Sequence, residues 1–271
     1  MPSYREVLQI NEQYAIDNGK EDTGVKLLLL HFSKMESTDL LLSFDEDMPD
    51  EMYQDFLYGV DRYIIQNIPV QHIIGHEYFF GRQFKVNEDV LIPRFETEEL
   101  VANTLMLYDE VFDGAPITVV DIGTGSGCLS ITMDLEEVNM TVYATDISED
   151  ALKVAKENND TLGGNVTFLK GDMLQPLDGM KFDMIISNPP YIPNEEFVEE
   201  IVKGNEPHVA LFGGVDGLDF YRIIIEGAKT LLNDKFIIGF EHAYDKAKEI
   251  KNIIEKQFDD VRIIQKRDMQ G

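Results

Sequence analysis

The apolar positions of this chain change their period along its length. Up to about residue 75 they recur at helical spacing: Val7, Ile10 and Tyr14, then the leucines at 27–30, then Met52, Phe56, Val60 and Ile64. Asn18-Gly19, residues 45–49 and Pro69 interrupt that pattern and predict a bundle of short helices. From 76 to 93 the period shortens. Tyr78-Phe79-Phe80 and Gln83-Phe84-Lys85-Val86 flank Gly81, which predicts a β-hairpin. Past Pro93 helices and strands alternate. A helix is expected from just after the proline to about 112, with further helices over 128–136, from 148 onward, over 219–232 and over 245–257. Six strands are expected, over 117–122, 141–145, 166–170, 182–187, 235–241 and 261–264. That alternation predicts an α/β domain with a parallel sheet. The expected organisation is a helical bundle over 1–75, a hairpin linker over 76–93 and an α/β domain over 94–271.

Composition narrows the function classes. With 271 residues and 44% hydrophobic content the chain can bury a sizeable core. The formal net charge is −28, which repels phosphate backbones and argues against a general DNA or RNA binder. The single cysteine, Cys128, excludes an internal disulfide and a multi-cysteine zinc site. No basic-then-apolar leader and no apolar run near 18 residues is visible, so the expectation is a cytoplasmic protein with no membrane association.

The candidate chemistry lies at the predicted strand ends. The first strand of the α/β domain runs into Gly123-Thr124-Gly125-Ser126-Gly127, and a helix opens at Cys128. Glycines between a strand and a helix let a ligand lie against bare backbone. The spacing is Gly-x-Gly-x-Gly, not the dinucleotide Gly-x-Gly-x-x-Gly, and Asp121 stands two residues before it. This favours a ligand with a cationic or polar portion over one bearing a pyrophosphate. Asp146 ends the second strand and can accept from both hydroxyls of a ribose, or cap the helix that follows. After the third strand, Asp172 can accept from an adenine amino group with Met173 packed on the ring. The alternative for Asp172 is a plain turn residue.

The fourth strand stops at Asn188-Pro189-Pro190-Tyr191, where two prolines cannot continue a ladder. The Asn188 side-chain oxygen and the carbonyls of Pro189 and Pro190 are acceptors suited to a planar –NH2 group, and the Tyr191 ring can cover its face. Residues 192–218 then form a long connection, a candidate lid, in which His208 is a candidate base but reads better as a solvent-facing loop histidine.

Taken together, residues 93–98, 121–128, 188–193 and 213–221 resemble the HemK/PrmC family, protein-(glutamine-N5) methyltransferases that act on peptide chain release factors. The resemblance implies a class I (Rossmann-like) S-adenosylmethionine-dependent methyltransferase domain behind a helical domain that docks the release factor. It implies methyl transfer to the glutamine of the Gly-Gly-Gln motif of class I release factors, tuning translation termination and leaving S-adenosylhomocysteine. The resemblance places the cofactor on Gly123, Thr124, Gly125, Ser126, Gly127, Asp146, Asp172, Met173 and Asn188. It assigns catalysis and substrate binding to Asn188, Pro189, Pro190 and Tyr191, without a metal and with the chain a monomer. Phe95 stands where the family more often has proline, and the sequence stops at residues 267–271, where the family usually continues into a last strand.

Asn-Pro-Pro-Tyr by itself is shared with DNA and RNA adenine methyltransferases. A non-enzymatic adaptor carrying a relic domain is the other alternative, and the complete set of glycines and acids speaks against it.

Overall fold

The computed structural model describes residues 1–266 and divides into two compact units. The first comprises Met1–His76 with Val198–Asn205. It is helical, with α1 (Tyr4–Asp17), α2 (Asp22–Ser33), α3 (Ser37–Leu42), α4 (Asp50–Ile64) and α5 (Val70–Ile74). A capping box starts α1: the Ser3 hydroxyl accepts from the Glu6 N–H while the Glu6 carboxylate accepts from the Ser3 N–H at 2.9 Å. Leu28, Leu29, Phe56, Val60 and Ile64 are buried together, and Ile201 packs on the same core.

The buried stripe of α1 differs from the expected one. Tyr4, Val7, Leu8, Asn11 and Ala15 face the core, whereas Ile10 and Tyr14 are 65% and 40% exposed. Two apolar stripes compete on this helix, and packing chose the one with small Ala15 and self-satisfied Asn11, whose Nδ2 donates to the Val7 carbonyl at 2.7 Å. Leu27 likewise faces outward, as the period of a helix requires when Leu28 and Leu29 face in.

The second unit comprises Glu77–Phe197 and the residues from Glu206 onward. The hairpin forms as expected, β1 (His76–Phe79) and β2 (Arg82–Lys85) about Phe80-Gly81. There follow α6 (Phe95–Phe112), β3 (Ile117–Ile122), α7 (Cys128–Glu136), β4 (Met140–Asp146), α8 (Glu149–Leu162), β5 (Thr167–Lys170) and β6 (Phe182–Ser187). Two short helices, α9 (Glu200–Asn205, in the first unit) and α10 (His208–Leu211), precede α11 (Asp219–Leu231), β7 (Leu232–Phe240) and α12 (Ala247–Gln257).

The sheet order is β5-β4-β3-β6-β7, every pair parallel. Both faces are buried, so the strands are apolar at successive positions. Val119, Met184 and Ile186 enter one core with Val101 and Tyr108 of α6 and Leu129 and Ile131 of α7. Val120, Ile122 and Ile185 enter the other with Ile224, Ala228 and Leu231 of α11. This is the Rossmann-like class the sequence led us to expect. After β3 the chain first builds toward β5 and then crosses back to β6, so the order reverses between β3 and β6. The crevice outside their carboxyl ends is where such sheets bind ligands.

One predicted strand is absent. Residues 261–264 form no ladder, and the described sheet has five strands, not six. The chain is held there by side chains instead. Phe258 packs on Phe236 with ring centroids 5.2 Å apart, and Arg262 Nη1 meets Glu110 Oε1 at 2.6 Å. A β-branched run becomes a strand only where a neighbouring edge accepts its hydrogen bonds. Residues 267–271, where the family usually continues into a last strand, lie outside the described residues.

Candidate active site

The glycine loop divides its labour. Gly123, Gly125 and Gly127 all take positive φ (76°, 55° and 83°). A Cβ on Gly123 or Gly125 would meet nothing within 4 Å, so these two present bare backbone to open space. Gly127 lacks that open space. A Cβ there would lie 2.7 Å from Ile131 Cδ1 and 3.2 Å from the Ala155 Cβ, so this glycine serves the close packing of α7 and α8.

Beneath the loop Asp121 is fully buried. Its Oδ2 accepts from Thr124 Oγ1 at 2.6 Å, and that hydroxyl lies 2.7 Å from Ser130 Oγ. Its Oδ1 has no hydrogen-bond partner among the described residues. Burial pushes the Asp121 carboxyl up to about 7, the hydroxyls of Thr124 and Ser130 pulling the other way. One oxygen of this buried carboxyl is thus left without a hydrogen-bond partner among the described residues.

Asp146 is placed at the end of β4, and it is not the helix cap. Ser148 caps α8, its hydroxyl accepting from the Ala151 N–H. The Asp146 carboxylate accepts from Gly125 N–H (2.9 Å) through Oδ2 and from Ser148 N–H (2.9 Å) through Oδ1. Burial raises its pKa, and those backbone donors oppose the rise. Asp172 is exposed just past β5, and Met173, at φ 48°, packs partly into the core beside β4 while its carbonyl accepts from Thr145 Oγ1 at 3.4 Å.

At the end of β6, Ser187 Oγ donates to the Ile122 carbonyl at 2.6 Å and fastens this strand to β3. Asn188 follows, and its Nδ2 donates to Thr97 Oγ1 at 3.2 Å. Thr97, in the first turn of α6, donates in turn to Glu241 Oε2 at 2.6 Å. The Asn188 amide and the Tyr191 hydroxyl lie near enough to Glu241 to pull its carboxyl pKa down against the rise from burial. Burial raises the Tyr191 hydroxyl to about 12, with the Glu241 charge adding to it. The Tyr191 ring packs beside Leu218, Tyr221 and Ile225.

The two proline carbonyls are not equivalent. A Cβ on Gly213 would stand 2.4 Å from the Pro190 oxygen, and one on Gly217 would stand 2.2 Å from the Tyr191 oxygen. The Pro190 carbonyl is therefore turned against the glycine turn at 213–217. This narrows the convergent acceptors expected from sequence to the Asn188 oxygen and the Pro189 carbonyl.

Two further residues frame this edge. Glu206, almost fully buried, pairs with Arg94 Nη2 at 2.6 Å and accepts from the Ile92 N–H at 3.2 Å. Arg94, Thr97, Gly123, Gly125, Ser126 and Asn188 all line one open pocket. The structure thus brings the glycine loop and the Asn-Pro-Pro-Tyr corner to one cleft. His208 is exposed on α10 with its ring against Phe212, and the ends of the 192–218 connection are joined by an Ile192–Phe212 bridge.

Sequence reasoning missed Thr97, Glu241 and Glu206. For Glu241 a signal existed, an acid ending the strand beside β6; Thr97 lay within the 93–98 stretch that carries the resemblance, and Glu206 in the long 192–218 connection, without a role assigned to either.

Comparison with known proteins decides the family. The model of the methyltransferase small domain matches residues 95–210, and that of the PrmC N-terminal domain matches residues 8–75. The release factor glutamine methyltransferase of Bacillus subtilis is 42% identical over 277 residues, covering 100% of this chain and 96% of its own length. The chain belongs to the release factor glutamine methyltransferase family. The family member of Bacillus anthracis is 41% identical over 93% of this chain and 90% of its own. That of Staphylococcus aureus is 36% identical over 100% and 97%. Among the described residues no helix is long and apolar enough to cross a membrane.

Proposed function

We propose that this chain transfers a methyl group from S-adenosylmethionine to the side-chain amide nitrogen of the glutamine in the Gly-Gly-Gln motif of peptide chain release factors. The observation that carries the reading is the fixed polarity of Asn188. Its Nδ2 is engaged by Thr97, so its oxygen is left to accept from a planar –NH2 in the same pocket that holds the glycine loop. The names of the relatives supply the substrate class.

The residues present fit the cofactor. Gly123 and Gly125 leave the room that a side chain would fill, the unpaired Asp121 oxygen suits its cationic portion, and Asp146 suits its ribose hydroxyls. Asp172 and Met173 border the adenine side. Bound there, S-adenosylmethionine supplies an electrophilic methyl carbon on a positively charged sulfur.

The protein's part is alignment. Asn188 Oδ1 and the Pro189 carbonyl accept the two amide protons of the glutamine and hold its nitrogen lone pair toward the methyl carbon. Alignment of this kind supplies much of the acceleration in a displacement. The N–C bond forms as the C–S bond breaks, and the nitrogen sheds one proton to water. Tyr191 flanks the glutamine side chain. The helical unit docks the body of the release factor, and the enzyme works as a cytoplasmic monomer with no stable hold on DNA or RNA.

Adenine also presents a planar –NH2, and the charge of −28 favours the protein substrate. The test is transfer of tritiated methyl groups from S-adenosylmethionine to purified release factor, its Gln→Ala variant, DNA and RNA. Label is expected on the wild-type release factor alone. Adenine labelling with the release factor left unmodified would overturn the reading.

A further inference from the structure

Glu241 lies just past the end of β7, beside the Asn-Pro-Pro-Tyr corner. Its backbone is held in place from both sides: its N–H donates to the Ser187 carbonyl at 3.2 Å, and its own carbonyl accepts from the Tyr221 hydroxyl at 2.7 Å. The carboxylate accepts from Thr97 Oγ1 at 2.6 Å, and the Asn188 amide and Tyr191 hydroxyl lie near it and favour its charge. An ionised carboxylate only accepts. Thr97 must therefore spend its single proton on Glu241, and its lone pairs can only accept from Asn188. A side-chain amide whose two ends are nearly equal in shape is thereby given one orientation.

We infer that Glu241, with Thr97, is a positioning residue for methyl transfer: the pair keeps Asn188 Nδ2 turned toward the protein and Asn188 Oδ1 turned toward the substrate amide. The inference rests on the role proposed above for Asn188. A neutral Glu241 would be able to donate. Thr97 could then donate to Asn188, and the amide could turn its NH2 end toward the pocket, where it would oppose the substrate –NH2. The charge on Glu241 thus selects the working rotamer. Burial raises the Glu241 carboxyl, Glu96 of α6 adds to the rise, and Thr97, Asn188 and Tyr191 oppose it. The other titratable groups facing it are Tyr191, Tyr221 of α11 and Cys128 of α7, all with raised pKa values and so neutral in the acid range.

The test uses the full chain with intact release factor, comparing wild type with Glu241→Gln, Thr97→Val and Thr97→Ser. Glu241→Gln and Thr97→Val should lower kcat tenfold or more, with KM for the release factor and Kd for S-adenosylmethionine within about threefold of wild type. Thr97→Ser, which restores the hydroxyl, should recover kcat to within about threefold. Wild-type kcat should fall on the acid side with a midpoint above that of an ordinary glutamate, and Glu241→Gln should lack that limb. Should Glu241→Gln fold poorly by its Tm, Thr97→Val and its serine rescue give the same decision without removing the charge. Wild-type kcat in both Glu241→Gln and Thr97→Val would overturn the inference, as would an unchanged acid limb in Glu241→Gln. A wild-type chain that leaves the release-factor glutamine unlabelled would instead remove the functional reading, and this inference with it.

Discussion

Asp146 and Gly125, 21 residues apart, are joined by a 2.9 Å hydrogen bond from the Gly125 N–H to Asp146 Oδ2. The acid at the end of β4 therefore holds the glycine loop, beside the ribose-binding role proposed for it. Asp146→Ala should weaken S-adenosylmethionine binding by about 1.5–3 kcal/mol, the range for hydrogen bonds to a charged group. Calorimetry should show that loss, with the fold retained. Unchanged affinity would show that the carboxylate serves the loop alone.

Asn188→Ala should abolish transfer while S-adenosylmethionine binds within about tenfold, roughly 1.4 kcal/mol. Orientation of the amide matters in the transition state more than in the cofactor complex. Single-turnover kinetics beside a binding titration separates the two. Wild-type turnover would remove Asn188 from the mechanism.

Gly213→Ala tests the turn behind the corner. The new methyl carbon would sit 2.4 Å from the Pro190 carbonyl oxygen, a backbone atom with no rotamer to yield. The corner must shift, so kcat on the release factor should fall tenfold or more while cofactor affinity stays within about threefold. A wild-type kcat would show that the corner tolerates the shift.

Asn158 is a buried bolt between the hairpin and the glycine loop. Its Oδ1 accepts from the Lys85 N–H (2.7 Å), and its Nδ2 donates to the carbonyls of Lys85 (3.1 Å) and Ser126 (2.9 Å). Asn158→Ala leaves those backbone groups without partners and should cost about 1–3 kcal/mol of stability, measurable by urea unfolding. A loss under about 0.5 kcal/mol would mean that water replaces the side chain without penalty.

Asp121 should leave a signature in stability against pH. Its carboxyl is raised to about 7 in the fold from an ordinary 3.8. The folded state therefore holds a proton that the unfolded chain has lost. The stabilisation is complete below the unfolded pKa and is lost as pH rises through about 7. Asp121→Asn should remove this component, so the difference in unfolding free energy between wild type and variant should decline between pH 4 and 7 and level off above. A difference independent of pH would show that Asp121 is ionised throughout.

The sequence by itself determined the order and kind of nearly every element, because period, glycine and proline act within a few residues of where they stand. β3, α7 and β6 fall where the apolar runs and the breaks at Gly123 and Asn188 put them. It also put the glycine loop, Asp146 and Asn188 at strand ends, where the structure has them. Tertiary structure decided what depends on distant partners. Ile10 and Tyr14 look as apolar as Val7, yet packing exposed them. Residues 261–264 have strand composition, yet among the described residues no sheet edge accepts them. The orientation of Asn188 comes from Thr97, 91 residues earlier, and from Glu241, 144 residues beyond Thr97. No local pattern encodes that meeting, because it exists only once β6 and β7 lie side by side and α6 packs over them.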